Sequence, residues 1–290
     1  MKKLAVGIMA AVLASSIANP VAAASYNFTP LIYPGATITG AYGSNDCGQI
    51  VGEYFVAGDS YPKGFIYEAG LFIPFTIQDA ISTTLNGINN AGDLVGAYRG
   101  AAGKFPFLFA GGVLTDIVPP GSTGGGARSI NKYGVVVGDC EVGGKHRGFR
   151  YASGSVTFID YPGAEGTSTL GINDAGAIVG KFQDAAGVWH GFILQGGNFD
   201  IIDVTGAQET RPNSINNSGQ IVGSYSLDNT TSHGFFYEHG KFTKVDLGCG
   251  ATTDNSISNI NNHGQIVGYC DNDGFFASPV ILPPLGLLLD

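Results

Sequence analysis

Residues 172–182 read INDAGAIVGKF, an Asn-x-x-Gly turn followed by an apolar pair and a second glycine. The same pattern recurs at 44–54 (SNDCGQIVGEY), 88–98 (INNAGDLVGAY), 130–140 (INKYGVVVGDC), 215–225 (INNSGQIVGSY) and 260–270 (INNHGQIVGYC). Its second glycine falls at Gly52, Gly96, Gly138, Gly180, Gly223 and Gly268, spaced 42 to 45 residues apart. A fixed period of this length marks a repeat architecture, in which one supersecondary unit cannot bury its own apolar face and must stack on its neighbours.

Around residue 172 the unit reads as four strands: TSTLGIND (a), AIVGKFQD (b), VWHGFILQ (c) and NFDIIDVT (d). The a–b and c–d joins are short and glycine-bearing, as a meander of antiparallel strands requires. Four strands in about 43 residues is the size of a β-propeller blade. Strands a, b and c occur six times, but d follows c only five times. The missing d stands at the start, where FTPLIYPGA (28–36) matches VTFIDYPGA (156–164). The expectation is therefore an all-β, six-bladed β-propeller of four-stranded blades over residues 25–277, its ring closed by the N-terminal strand. Closure removes the open sheet edges that an unclosed solenoid of the same repeats would expose.

The two ends read differently. Lys2 and Lys3, an apolar run to about Ala18 and the small residues Ala22–Ala24 form the n-region, h-region and cleavage pattern of a secretory signal peptide, assigned to residues 1–24. The run is too short to serve as a membrane anchor, so no transmembrane segment is expected in the mature chain, and the destination is extracellular or periplasmic. Residues 278–290 form an apolar tail too short to span a bilayer. The formal charge is −9, with no cluster of Lys or Arg. That excludes the electrostatic footprint of a nucleic-acid binder and leaves polysaccharides, matrix polymers or proteins as partners.

In a meander the a–b and c–d turns share one face, and the b–c and d–a loops share the other. The a–b turns are uniform, whereas the b–c loops differ in every copy: VAGDSYPK, RGAAGK, EVGGKH, QDAAGVWH, SLDNTTSH and DND. Variation gathered on one face of a rigid scaffold is where binding or catalysis resides.

The His-Gly-Phe steps (His146-Arg-Gly-Phe149, His190-Gly-Phe192, His233-Gly-Phe235), the IDYPGA stretch at 159–164 and the six IVG-type motifs resemble the HAF-repeat family of extracellular bacterial proteins. The resemblance spans the mature chain and implies export and a repeat-built fold. It carries no activity. Phe105-Pro106-Phe107 and the VDLGCGA stretch of the fifth copy depart from the pattern.

Residues present in every copy read as scaffold, since one site does not need six equivalents. Asn45, Asn89, Asn131, Asn173, Asn216 and Asn261 are expected to cap the a–b turns. The Gly-Phe phenyl rings are expected to fill the cores between blades. Asp116, Asp160, Asp203 and Asp246, at the ends of d, are expected to make structural hydrogen bonds. The lone Trp189 lies in a variable b–c loop, where it covers a blade edge or stacks on a sugar. The d–a loops are expected to ring the axial funnel with Arg128, Glu165, Glu209, Arg211 and Asp254. These six residues form the candidate ligand site.

Glu165 and Glu209, from successive copies, are the one carboxylate pair suited to glycoside hydrolysis. No serine-hydrolase, zinc-protease, Walker or dinucleotide motif is present, so no metal or cofactor is expected. Asp271-Asn-Asp-Gly274 lacks the spacing of a calcium loop and reads as a tight turn. Of the four cysteines, Cys249 and Cys270 are expected at the same face and read as a disulfide. The leading functional expectation is a secreted, non-enzymatic binding propeller. The alternative is a secreted glycoside hydrolase or polysaccharide lyase.

Overall fold

The computed structural model describes residues 25–247 and 255–280. The expected signal peptide, Cys249, Asp254 and residues 281–290 lie outside them. Among the described residues every regular element is a strand.

Strand β1 (Tyr26–Leu31) precedes the first repeat. The first four-stranded meander is β2 (Ala36–Ser44), β3 (Ile50–Val56), β4 (Lys63–Glu68) and β5 (Leu71–Phe75). The second is β6 (Ser82–Ile88), β7 (Leu94–Gly100), β8 (Gly103–Ala110) and β9 (Val113–Asp116). The third is β10 (Ser122–Ile130), β11 (Val136–Val142), β12 (Lys145–Ala152) and β13 (Ser155–Ile159). Next come β14 (Gly166–Ile172), β15 (Ile178–Gln183), β16 (Trp189–Gln195) and β17 (Asn198–Ile201). They are followed by β18 (Glu209–Ile215), β19 (Ile221–Ser226), β20 (Ser232–Glu238) and β21 (Lys241–Val245). The last strands are β22 (Ser256–Ile260), β23 (Ile266–Cys270) and β24 (Asp273–Pro279).

This is an all-β propeller with four-stranded blades. Four of its sheets have four strands each, and β14 to β21 form one eight-stranded sheet. Within that sheet β16 meets β18 through a single parallel pair, Trp189 with Glu209. As the displaced repeat implied, β1 pairs antiparallel with β24, from Tyr26↔Pro279 to Leu31↔Gly274, and completes the sheet that begins at β22. The first strands, β2, β6, β10, β14, β18 and β22, each touch the next, and β22 touches β2. They are the innermost strands and enclose the axis.

The turn chemistry explains the meanders. Each a–b turn has its glycine in the left-handed region, for example Gly48 at φ +84° and Gly176 at φ +81°. The c–d turns are two-residue hairpins with both φ positive, such as Gly111 at +56° and Gly112 at +80°. That backbone matches the strand twist. As expected, the phenyl rings of the Gly-Phe steps make the core: Phe65, Phe107, Phe149 and Phe192 are fully buried. Phe149 packs with Val95, Ile117 and Ala127, so each core forms between neighbouring blades. Burying one such side chain contributes about 1.5–3 kcal/mol. Pro106, which replaces the usual glycine, leaves Phe107 in the same buried place.

The end-of-d aspartates bond to strands b and c of their own repeat: Asp116 accepts from the hydroxyl of Tyr98 on β7 at 3.0 Å, and Asp203 from the amide of Gly191 on β16 at 2.8 Å. Asp160 pairs with Arg147.

Candidate functional site

Every innermost strand carries one β-bulge at the same place in the repeat. In β2 the register runs Ala41↔Gly52 and then Gly43↔Val51, which leaves Tyr42 unpaired. The same step leaves out Asn86, Arg128, Leu170, Asn213 and Ser258 in the other five copies. A bulge re-aims the extra side chain. All six extra residues line a single cavity of about 500 Å³.

The bulge also explains the second glycine of the motif. It brings the inner strand so close that a Cβ on Gly180 would sit 2.1 Å from the Ser168 carbonyl oxygen, and one on Gly52 would sit 1.9 Å from that of Gly40. No side chain fits there. The residue after each glycine is free to vary, reading Glu53, Ala97, Asp139, Lys181, Ser224 and Tyr269. Of these, Glu53, Asp139, Lys181 and Tyr269 join the cavity lining. The cavity thus draws on the bulge residue of every repeat and on the residue after the glycine in four of the six, with Lys104, Trp189 and Arg211 added from other positions.

The lining combines aromatic, hydroxyl and charged groups. Tyr42 and Tyr269 meet edge to face with ring centroids 6.0 Å apart. The Tyr42 hydroxyl donates to Glu53 Oε1 at 2.9 Å, and Thr84 Oγ1 donates to Glu53 Oε2 at 2.6 Å. Burial, reinforced by the Glu53 charge, raises the Tyr42 phenol well above its ordinary pKa, so it stays a donor. Arg128 Nε pairs with Asp139 at 2.5 Å. Burial opposes ionisation of Asp139, but Arg128 outweighs it and holds the carboxyl below its usual range.

Trp189, on β16, is half-buried, with Lys181 Nζ 4.2 Å from its ring centroid and the His146 ring at its edge. Lys181 also pairs with Glu209 at 2.9 Å, and Arg211 reaches the same Glu209 oxygen at 3.0 Å. Burial disfavours the Glu209 carboxylate, yet Arg211 and Lys181 together lower its pKa.

Trp189, Arg128 and Arg211 therefore come together in the cavity. Arg128 and Arg211 reach it from β10 and β18 rather than from d–a loops, because the inner strands themselves surround the axis. Glu209 is the first residue of β18 and stands behind the lining, bound to two cations. Glu165 is exposed, 3.7 Å from Lys145, and takes no part in the lining. The two carboxylates are engaged by different cations. Asp254 lies outside the described residues, as does Cys249. Cys270 is disulfide-bonded, while Cys47 and Cys140 are free. Asp271 and Asn272 form a two-residue turn between β23 and β24.

Similarity to solved structures is confined to the fold. The SapL1 lectin in complex with α-methyl fucoside aligns with a TM-score of 0.56 at 14% identity, covering 86% of this chain and 98% of that one. A putative gluconolactonase gives 0.55 at 12% identity over 89% and 94%. A catalytically inactive virginiamycin B lyase from Staphylococcus aureus, solved with quinupristin, gives 0.53 at 10% identity over 88% and 100%. No protein-family model and no curated protein matches the sequence. The propeller is common to binding proteins and enzymes, so the site has to carry the functional argument.

Sequence reasoning placed variation in loops and so missed Tyr42, Glu53, Lys104, Asp139, Lys181 and Tyr269. For all of these but Lys104, which lies on β8, the signal was present inside the motif. With the six copies aligned on their turn asparagine, the residue three places earlier and the residue after the second glycine differ almost every time, within strands that are otherwise uniform.

Proposed function

We propose that this protein is an exported, six-bladed propeller of the HAF-repeat type that binds a carbohydrate in its axial cavity without chemical turnover. The eight-stranded sheet then counts as two blades joined at Trp189 and Glu209. The observation that carries the reading is the convergence of six bulge residues of five types on one cavity walled by Tyr42, Tyr269 and Trp189. Aromatic faces among a few placed hydroxyl and charged groups are how saccharide sites obtain both contact area and orientation. The likeness to a fucoside-binding lectin is compatible with it. A matrix polymer or protein ligand would use the same mouth.

Hydrolysis through Glu165 and Glu209 is not favoured. Glu209 is held ionised by Lys181 and Arg211, which opposes an acid role, and Glu165 sits apart against Lys145.

The test is a glycan array probed with the mature protein and with Ser258→Trp, which fills the cavity from one bulge. Array binding by the wild type, lost in Ser258→Trp at unchanged thermal stability, supports the reading. Equal binding by both proteins contradicts it.

A further inference from the structure

The charge inside the cavity runs against the charge of the chain. The protein carries −9 overall, yet four cations, Lys104, Arg128, Lys181 and Arg211, line the axis against Glu53 and Asp139. Both oxygens of Glu53 accept from neutral hydroxyls, so it pairs with none of these cations. Asp139 pairs with Arg128, and the single carboxylate of Glu209 is shared between Lys181 and Arg211. The Lys104 ammonium makes no ion pair or hydrogen bond among the described residues. Arg211 Nε is buried with no hydrogen-bond partner among the described residues.

These features make the cavity a focus of positive potential in an acidic protein, an arrangement that concentrates anions. A neutral ligand could accept from Arg211 Nε but would leave unanswered the charge of Lys104 and that of two cations sharing the one carboxylate of Glu209. A buried donor without an acceptor costs about 1–3 kcal/mol, so an incoming acceptor gains by supplying it.

Resting on the carbohydrate reading above, we infer that the ligand is an anionic sugar residue. Its acid group, a carboxylate or a sulfate ester, is drawn by Lys104 and Arg211, and its ring is set against the aromatic wall. The mixed lining suits this class: cations for the acid group, Ser, Thr and Asn side chains for hydroxyls, and aromatic faces for the ring. Partial desolvation of the Lys104 ammonium, with Arg128 beside it, lowers the lysine pKa. The charge of an anion bound there would offset both effects.

Calorimetry of the mature protein with trigalacturonate, with the neutral galactotriose of the same linkage and with a sulfated galactotriose tests the assignment. At least one charged arm is expected to bind about tenfold tighter than the neutral one and to weaken with added salt. Which arm binds tells a carboxylate from a sulfate ester. Lys104→Gln is expected to lose that margin and Lys104→Arg to keep it, with both variants checked for an unchanged melting temperature. Neutral trisaccharide binding as tightly as its charged counterparts would overturn the anionic assignment while leaving the carbohydrate reading standing. Binding of none of the three would count against both. Retention of the full margin in Lys104→Gln would overturn the role of Lys104.

Discussion

Asn261 Nδ2 donates to the backbone carbonyl of Asn45 at 3.2 Å, across 216 residues of sequence. It is the closing member of a belt. Asn45 donates to the carbonyl of Asn89, Asn89 to Asn131, Asn131 to Asn173, Asn173 to Asn216 and Asn216 to Asn261. Each side chain caps its own turn as well; Asn261 Oδ1 accepts from the His263 and Gln265 amides at 3.0 Å. One amide thus fixes a turn and ties one repeat to the next. This gives a chemical reason for six asparagines that capping alone explains only in part.

Replacing Asn261 by alanine removes the acceptor of the His263 and Gln265 amides, strands the buried Asn45 carbonyl and opens the belt where the chain ends meet. The expected loss is about 1–3 kcal/mol, read as a lower urea midpoint. A loss of no more than about 0.3 kcal/mol would show the belt to be incidental.

Gly180→Ala is expected to be severe, because its Cβ would collide with the Ser168 carbonyl and the Phe192 ring. Overpacking of this kind costs about 1–3 kcal/mol or more. Gly100→Ala, whose nearest neighbour would be 3.7 Å away at Tyr98, serves as the mild control. Thermal unfolding of the two variants should separate them clearly.

Much of this fold was legible because its signals are local and repeated. Asn-x-x-Gly turns, Gly-Phe steps and the displaced Phe28–Ala36 stretch each have one physical reading. The bulges were not legible. Variation at the position of Arg128 is visible across the aligned copies, but its consequence, a side chain turned to the axis by a bulge, exists only once the strands pair. Glu165 and Glu209 looked alike in sequence. They differ because one begins an inner strand beside two cations and the other sits on an exposed loop.

Deleting Tyr26–Leu31 would uncover the edge of β24 and the Gly274 backbone, whose Cβ position lies 2.9 Å from the Leu31 carbonyl. The truncated chain is expected to melt at lower temperature and to self-associate through the exposed strand, as seen by light scattering. An unchanged monomer would argue against ring closure by β1.

His190 gives the protein a pH signature. Its Nδ1 lies 2.7 Å from Asp203 and its Nε2 3.4 Å from Asp184. Desolvation lowers its pKa, but the two aspartates outweigh it and the net shift is upward. A raised folded-state pKa contributes stability that is complete below the unfolded value near 6.5 and is lost as pH rises through the folded value. His190→Gln should therefore flatten the stability profile on the alkaline side of 6.5 and leave little difference between variant and wild type well above it.

The cysteines offer a chemical check. Cys47 is exposed, whereas Cys140 is buried, and burial pushes its thiol up to about 11. Without reductant, iodoacetamide is expected to label Cys47 in the native protein and Cys140 only after denaturation. Digestion is expected to yield a Cys249–Cys270 linked peptide. Free alkylated Cys249 in the unreduced digest would refute that pairing.

The most direct test of the account uses Trp189. It is the only tryptophan in the chain and lines the axial cavity, with Lys181 over its ring. Its fluorescence reports on that cavity alone. Titration with a glycan whose binding has been established by calorimetry should give a saturable change in Trp189 emission with the same dissociation constant. A glycan that binds by calorimetry while Trp189 emission stays flat would place the ligand elsewhere and contradict the axial site.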